Sequence, residues 1–357
     1  MPAKNQINYR AEMEKPEFSA IRHKLRSEMM PTRQLDLIIS ELRLIQQGIA
    51  TGFDEEAFWS GINRLPVDGA IFVGESGSGK SFGLKYALTT LPAVDLPDGT
   101  TLESKPLFID TPTAGTVAML AREIAKSADG VAIREPKDLE APERAINALK
   151  RHQYTVVGID EVSRILNPQR HGGRAIAVQS QLVWTLGIEA MNQKSWPTPM
   201  ALAGLPVLLE TLSIVDKKDD ARKVRREAQR RFNVVSLPNL DLDKDGGMLE
   251  SAIATYCSFA GVDTMHKETD LVVARLIHAS YHQVGTALEI AQKAVALAKV
   301  RARGKLNLED FAAVYERMTS SVRSANPFVV EGWDRIDIGV IAPRSAAEAN
   351  IKTKVRK

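Results

Sequence analysis

The chain has 357 residues, 47 of them Lys or Arg and 44 Asp or Glu, for a formal net charge of +3. With 25% charged and 44% hydrophobic residues, it has the make-up of a folded globular protein and not of a collagenous, low-complexity or disordered chain, and its length predicts about two domains. A single cysteine, Cys257, excludes an internal disulfide framework and a multi-cysteine zinc site. Met1–Glu17 lacks the apolar stretch of a signal peptide, and no run reaches the ~18 apolar residues of a membrane span. A cytoplasmic protein with no membrane partner is therefore expected.

Residues 1–32 are polar and weakly patterned and read as an arm. Leu35, Ile38, Ile39, Leu42 and Ile45 then follow the i, i+3, i+4, i+7 spacing of a helix with one buried face. Short apolar runs alternate with helical stretches after that. Strands are expected at Ala70–Val73, Pro106–Ile109, Thr155–Ile159, Met200–Ala203 and Asn233–Val235. Helices are expected at Ser81–Leu91, from Thr111-Pro112 onward, at Leu139–Lys150 and at Arg174–Met191. Near-continuous apolar strands alternating with helices imply an α/β fold, a parallel five-stranded sheet flanked by helices on both faces. After Pro238 the strands stop. The Asp- and Gly-rich segment Leu240–Gly247 reads as a boundary loop. Leu249–Phe259, Asp270–His282, Thr286–Ala302 and Leu308–Met318 read as helices of a small second domain. From Ser320 the chain reads as an extended tail.

The sharpest motif is Gly74-Glu75-Ser76-Gly77-Ser78-Gly79-Lys80-Ser81, which fits the phosphate-loop pattern at every fixed position, between a strand and a helix. Its glycines let backbone N–H groups curl around an anion, and the helix N-terminus adds a positive dipole end. Lys80 is placed to reach the β- and γ-phosphates of ATP, and Ser81 to put its hydroxyl on Mg2+; Phe82 follows in the same nucleotide-contacting stretch. The second motif is Val156-Val157-Gly158-Ile159-Asp160-Glu161. Two carboxylates ending a buried strand are costly unless used. Asp160 suits the Mg2+ shell, and Glu161 suits a base that orients and deprotonates water. The third is Arg225-Arg226-Glu227-Ala228-Gln229-Arg230-Arg231-Phe232. From it, Arg231 or Arg230 could enter a neighbouring subunit's site and neutralise charge on the γ-phosphate; the alternative is a solvated basic helix face.

In the order of these parts the chain resembles the AAA+ ATPases, and within them the TniB/TnsC family of transposition ATPases, related to MuB and to origin-recognition ATPases. The residues that carry the resemblance are Gly74–Ser81, Asp110-Thr111-Pro112-Thr113, Ile159-Asp160-Glu161-Val162, the Arg231-Phe232 pair and Asn326-Pro327-Phe328. The resemblance implies an N-terminal arm and helix (1–45), a P-loop AAA+ core (46–238), an all-helical lid (239–320) and a C-terminal tail (321–357). It also implies a homo-oligomer, ring or helical filament, with ATP bridging subunits. Two positions depart from the pattern. Leu205 stands where many AAA+ proteins carry a polar sensor residue, and Leu288 stands where related initiators carry an arginine in the lid. Neither offers a hydrogen bond or charge to a phosphate, so slow hydrolysis and a nucleotide-state switch are expected.

The near-neutral total hides segregation. Lys217–Arg231 carries +5, Lys299–Lys305 +4 and Arg344–Lys357 +4, leaving −10 for the remaining residues. Together with the loop Arg170–Arg174, these segments make Arg170, Arg174, Lys217 and Lys218 candidates for sequence-tolerant contacts to double-stranded DNA; a solvated face is the alternative for each. His278 and His282, at i, i+4 without a third ligand, read as packing or surface residues, and Cys257 as a buried small side chain. The function expected is an ATP-dependent, DNA-binding regulator of transposition that oligomerises on target DNA and recruits or activates a transposase, with a target-selection protein as a further candidate partner. The alternatives are an AAA+ ATPase of initiation or partition, or one acting on protein partners. The last wants an aromatic pore loop after the second strand, where the chain has Thr111–Gly115 instead.

Overall fold

The computed structural model describes residues 9–51, 66–96, 99–113, 115–130, 137–166, 173–213, 219–265, 269–302 and 304–338. They form two compact units, one of residues 33–238 and one of residues 1–32 with 239–357.

The first unit is built on β1 (Gly69–Val73), β4 (Pro106–Asp110), β5 (Val156–Asp160), β6 (Met200–Gly204) and β7 (Phe232–Ser236), all parallel, in the order β4-β5-β6-β1-β7. The five expected strands are these five. A short antiparallel hairpin of β2 (Val94–Asp95) and β3 (Thr101–Leu102) adds to them. Side chains alternate across the sheet with period two, and the core divides accordingly. Ile71, Val73, Ile109, Val157, Ile159 and Leu202 face one apolar cluster. It is shared with α5 (Val117–Asp129), α6 (Ala141–His152) and α7 (Gly173–Met191). Ala70, Phe72, Val156, Ala201 and Ala203 face the opposite cluster, with α3 (Arg33–Thr51) and α4 (Lys80–Thr89). The three central strands β1, β5 and β6 are buried on both faces and are nearly continuous apolar runs, as in other parallel sheets, whereas the edge strand β7 is largely exposed. Two further helices, α8 (Val207–Ser213) and α9 (Asp219–Arg231), join β6 to β7. Phe232, at the start of β7, sets its ring edge-on to Trp184 with centroids 5.6 Å apart.

The helix expected from Thr111-Pro112 begins instead at Val117. Its N-cap is Thr116, whose hydroxyl accepts the Met119 N–H at 3.3 Å. Proline at the first turn suits a helix, but Thr111 has a stronger use: its hydroxyl donates to the Asp160 carbonyl at 2.6 Å, which ties the chain to the end of β5 and not into a helix.

The second unit is all helical: α1 (Tyr9–Met13), α2 (Pro16–Ser27), α10 (Leu242–Ala260), α11 (Thr269–Ala279), α12 (Val284–Val300) and α13 (Leu308–Thr319). Residues read as an arm thus form two helices. Phe18 and Leu25 of α2 are buried in the same cluster as Tyr256, Phe311 and Tyr315, and Arg22 pairs with Glu289 of α12 at 3.0 Å. The segment read as a boundary loop is the first turns of α10. Asp241 caps the N–H groups of Asp243 and Lys244, while the Asp245 carboxylate accepts the Asp241 N–H at 2.9 Å. Asp and Gly signal a loop by composition, but reciprocal capping turns the same aspartates into a helix start.

The tail is not extended up to residue 338. The Asn326 side-chain amide donates to the carbonyl of Ala312 (2.9 Å) and to Glu316 (3.1 Å), and its oxygen accepts the Phe328 N–H (2.9 Å). Phe328 stacks on Phe311 at 5.4 Å and meets Tyr315 edge-on at 6.0 Å. Cys257 is buried, and burial pushes its thiol up to about 12. His278 Nε2 lies 3.1 Å from the Ile336 carbonyl, and His282 Nδ1 lies 2.9 Å from that of Leu240. Among the described residues no helix is long and apolar enough to cross a membrane.

Candidate functional site

At the carboxyl edge of the sheet the registers put Val73 level with Gly204 and Ser236, and Asp110 level with Asp160 one residue earlier in the row. In open parallel sheets ligands bind outside this edge. The phosphate-loop motif leaves β1 there. Gly77 and Gly79 both have φ of 85°, a left-handed conformation that side chains resist, and they turn the chain directly into α4. The Lys80 side chain folds back over the loop. Its Nζ donates to the carbonyls of Gly74 (2.7 Å) and Glu75 (2.8 Å) and to the Ser78 hydroxyl (3.1 Å). Lys80 is only 7% exposed. Burial pulls its ammonium below the ordinary lysine range, against the opposing pull of Glu161, Asp160 and Glu75. A buried cation at a helix N-terminus, under a glycine loop, is a receptor for an anion.

Asp160 is 3% exposed, and its Oδ1 accepts the Glu161 N–H at 2.8 Å. Glu161 itself takes a left-handed backbone conformation, φ 56° and ψ 34°, uncommon for a residue with a side chain. This turn swings the Glu161 carboxylate out of the strand line and leaves it half-buried, 38% exposed. Ser81 and Phe82 are exposed on the first turn of α4. The hydroxyl of Ser81 and the carboxylate of Asp160 form a hard oxygen set of the kind Mg2+ prefers, and the Lys80 ammonium matches the charge of a polyphosphate. The residues present therefore fit a magnesium nucleotide.

Three residues not singled out for a role from the sequence shape this edge. The Thr111 hydroxyl and N–H both donate to the Asp160 carbonyl, at 2.6 and 3.1 Å. Ser163 Oγ accepts the Leu205 N–H at 2.7 Å, binding the turn after β5 to the end of β6. A Cβ on Gly204 would lie 2.5 Å from that oxygen, so a side chain there would displace the Ser163 hydroxyl from its bond. Arg164 Nη1 donates to the Thr111 carbonyl at 2.9 Å, and its Nε lies 3.8 Å from Glu161 Oε2. Thr111 lies in the Asp110–Thr113 motif, but its bonds to Asp160, like the contacts of Ser163 and Arg164, are recognisable only once β4, β5 and β6 lie side by side.

Arg231 and Arg230 lie at the opposite edge. Arg231 immediately precedes Phe232, which pairs with Gly69 at the start of β1, and its Nη1 is 3.6 Å from Asp68 Oδ1. Five residues of strand, about 16 Å, separate that end from the phosphate loop, so within one subunit neither arginine reaches Lys80. Arg230 is exposed. Leu205 is exposed just past β6, and Leu288 packs at the margin of the helical core. Of the DNA candidates, Arg170, Lys217 and Lys218 lie outside the described residues, as does the terminal run 344–357; Arg174 lies in α7, its side chain likewise outside the description.

The strand order, the phosphate loop on the strand between β6 and β7, and the carboxylate-ended β5 define a P-loop AAA+ fold with a helical C-terminal region. Residues 69–212 match the family model described as an AAA domain. Among solved structures, the chain is similar to the Aeropyrum pernix ORC1 protein in complex with DNA, with a TM-score of 0.54 and 17% identity over 85% of this chain and 72% of the other. It is also similar to the Aeropyrum pernix ORC2 protein in its ADPNP-ADP complexes, with a TM-score of 0.53 and 13% identity over 96% of this chain and 89% of the other. No curated protein matches by sequence.

Proposed function

We propose that this protein is an ATPase that uses the nucleotide as a switch for assembly on double-stranded DNA, and that it regulates transposition by recruiting or activating a transposase. The observation that carries the ATPase reading is the convergence of Lys80, Asp160 and Glu161 at one sheet edge, with Lys80 buried enough for the carboxylates to act on it. In this reading the Gly74–Ser81 backbone and Lys80 hold the β- and γ-phosphates, and Ser81 and Asp160 hold Mg2+. Bound there, the ion would neutralise negative charge on the phosphate oxygens. Glu161 orients a water molecule and takes its proton. Arg231 or Arg230, unable to reach its own loop, serves the neighbouring subunit's site, which makes assembly depend on ATP.

The DNA reading rests on Arg170, Arg174, Lys217 and Lys218 and on the segregation of basic charge. The structural likeness to an origin-recognition protein solved with DNA is compatible with it. That likeness also favours the second reading, an ATPase acting on DNA outside transposition. The transposition reading rests on the resemblance of Ile159–Val162, Arg231-Phe232 and Asn326–Phe328, taken together, to TniB/TnsC proteins. The test is pull-down of duplex DNA with ATP, ADP or no nucleotide, followed by electron microscopy. Retention of DNA and formation of rings or filaments with ATP and Mg2+ alone supports assembly. Monomers in every condition overturn it. Capture of a purified transposase by the ATP-loaded assembly, and not by the ADP-loaded chain, separates transposition from the second reading.

A further inference from the structure

We infer that Arg164 is a positioning residue for Glu161. The inference rests on the proposed reading of Glu161 as the base. The main chain of Glu161 is fixed by its N–H bond to Asp160 Oδ1. Its side chain, however, is long and not held by burial. Arg164 supplies what burial does not. The two residues bracket the single 3-10 turn Val162–Arg164, closed by the Arg164 N–H donating to the Glu161 carbonyl at 2.9 Å. Across this turn the guanidinium lies beside the carboxylate, Nε 3.8 Å from Oε2.

What distinguishes this pair from an ordinary exposed ion pair is the second anchor. Arg164 Nη1 donates to the Thr111 carbonyl, and Thr111 is itself bound through its hydroxyl and N–H to the carbonyl of Asp160. The chain of contacts runs Asp160, Thr111, Arg164, Glu161 and closes through the peptide bond between Asp160 and Glu161. A planar guanidinium can present one edge to a carbonyl while another N–H faces a carboxylate; a lysine ammonium has no such fork. An exposed ion pair by itself adds little stability. The consequence here is orientation: the carboxylate is referred to the ends of both β4 and β5.

The test is steady-state ATP hydrolysis by the full chain, with binding of a non-hydrolysable ATP analogue and thermal melting measured in parallel. Arg164→Ala is expected to lower kcat about tenfold while leaving KM and analogue affinity within about twofold. Arg164→Lys recovers part of the loss, and free guanidinium added to Arg164→Ala recovers part as well. In the Glu161→Gln background Arg164→Ala costs nothing further, because the group it positions is gone. The inference is overturned if kcat is unchanged, if KM rises alone, if the losses from the two positions multiply, or if Arg164→Ala and Arg164→Lys fall equally with a shared drop in Tm. Absence of hydrolysis by the wild-type chain overturns the ATPase reading and the positioning role together; normal wild-type hydrolysis with indifferent variants overturns the positioning role alone.

Discussion

The two units treat buried polar groups differently. In the helical unit several such groups bond one another across the helix contacts. Arg301, with its side chain 3% exposed, bonds Asp310, which is fully buried. Gln292 donates to the Tyr256 hydroxyl at 2.9 Å, and Asn326 is spent on three bonds that pin the segment after α13. These networks fix how helices meet. In the α/β unit the costly groups gather at one edge of the sheet and remain presented to it. Lys80 is desolvated beside carboxylates, Asp160 is buried at a strand end, and Glu161 is turned outward in a strained conformation. Strain and desolvation that a unit keeps without using them for packing mark a place of chemistry. In a folded domain the same cost is either repaid internally or held for a ligand, and the two units show the two cases.

That contrast can be broken by substitution. Glu161→Gln should lower kcat by about 10²–10⁴, the range for loss of a general base, with analogue binding retained; this is read by comparing turnover with equilibrium titration. Arg301→Ala should destabilise by about 3–5 kcal/mol, because it leaves Asp310 buried without its partner; denaturant titration measures it. Asn326→Ala should cost about 1–3 kcal/mol in the same assay, the penalty of leaving the buried Phe328 N–H without its acceptor. Asp241→Ala should cost about 1 kcal/mol, the value of an N-cap, and would confirm that this stretch starts a helix. The last is a pH effect. Because burial lowers the Lys80 pKa, the lysine loses its proton at lower pH than an exposed lysine would. Its charge is present below that depressed pKa and is lost as pH rises through it, so nucleotide affinity should decline on the alkaline side before ordinary lysines titrate. Isothermal titration across that range would show a flat profile if Lys80 does not contact the phosphates.

The sheet was legible because its signal is redundant. Strands buried on both faces read as apolar blocks, and Gly74–Ser81 and Asp160-Glu161 sit at the ends of two of them. What the sequence concealed has specific causes. In α2, Phe18 and Leu25 are buried but diluted among charges, so a helix of the second unit read as an arm. The strands of the β2–β3 hairpin are two residues long, too short for a period. Asp241 and Asp245 suggested a loop by type, while their reciprocal capping shows only in three dimensions. Arg164, Thr111 and Ser163 join β4, β5 and β6 through contacts set by strand order, which no local pattern contains. Arg231 was legible as a residue, and the β1–β7 register adds that it lies at the far edge from its own phosphate loop.

The central claim is that the carboxyl edge of the sheet binds ATP and hydrolyses it through Glu161. The most direct measurement is single-turnover hydrolysis of radiolabelled ATP with Mg2+ by the wild-type chain, Lys80→Ala and Glu161→Gln, each first titrated for nucleotide binding. The wild type is expected to bind and hydrolyse, Glu161→Gln to bind with unchanged affinity and hydrolyse at least about a hundredfold more slowly, and Lys80→Ala to fail to bind. Hydrolysis by Glu161→Gln at the wild-type rate, or unimpaired binding by Lys80→Ala, would contradict it.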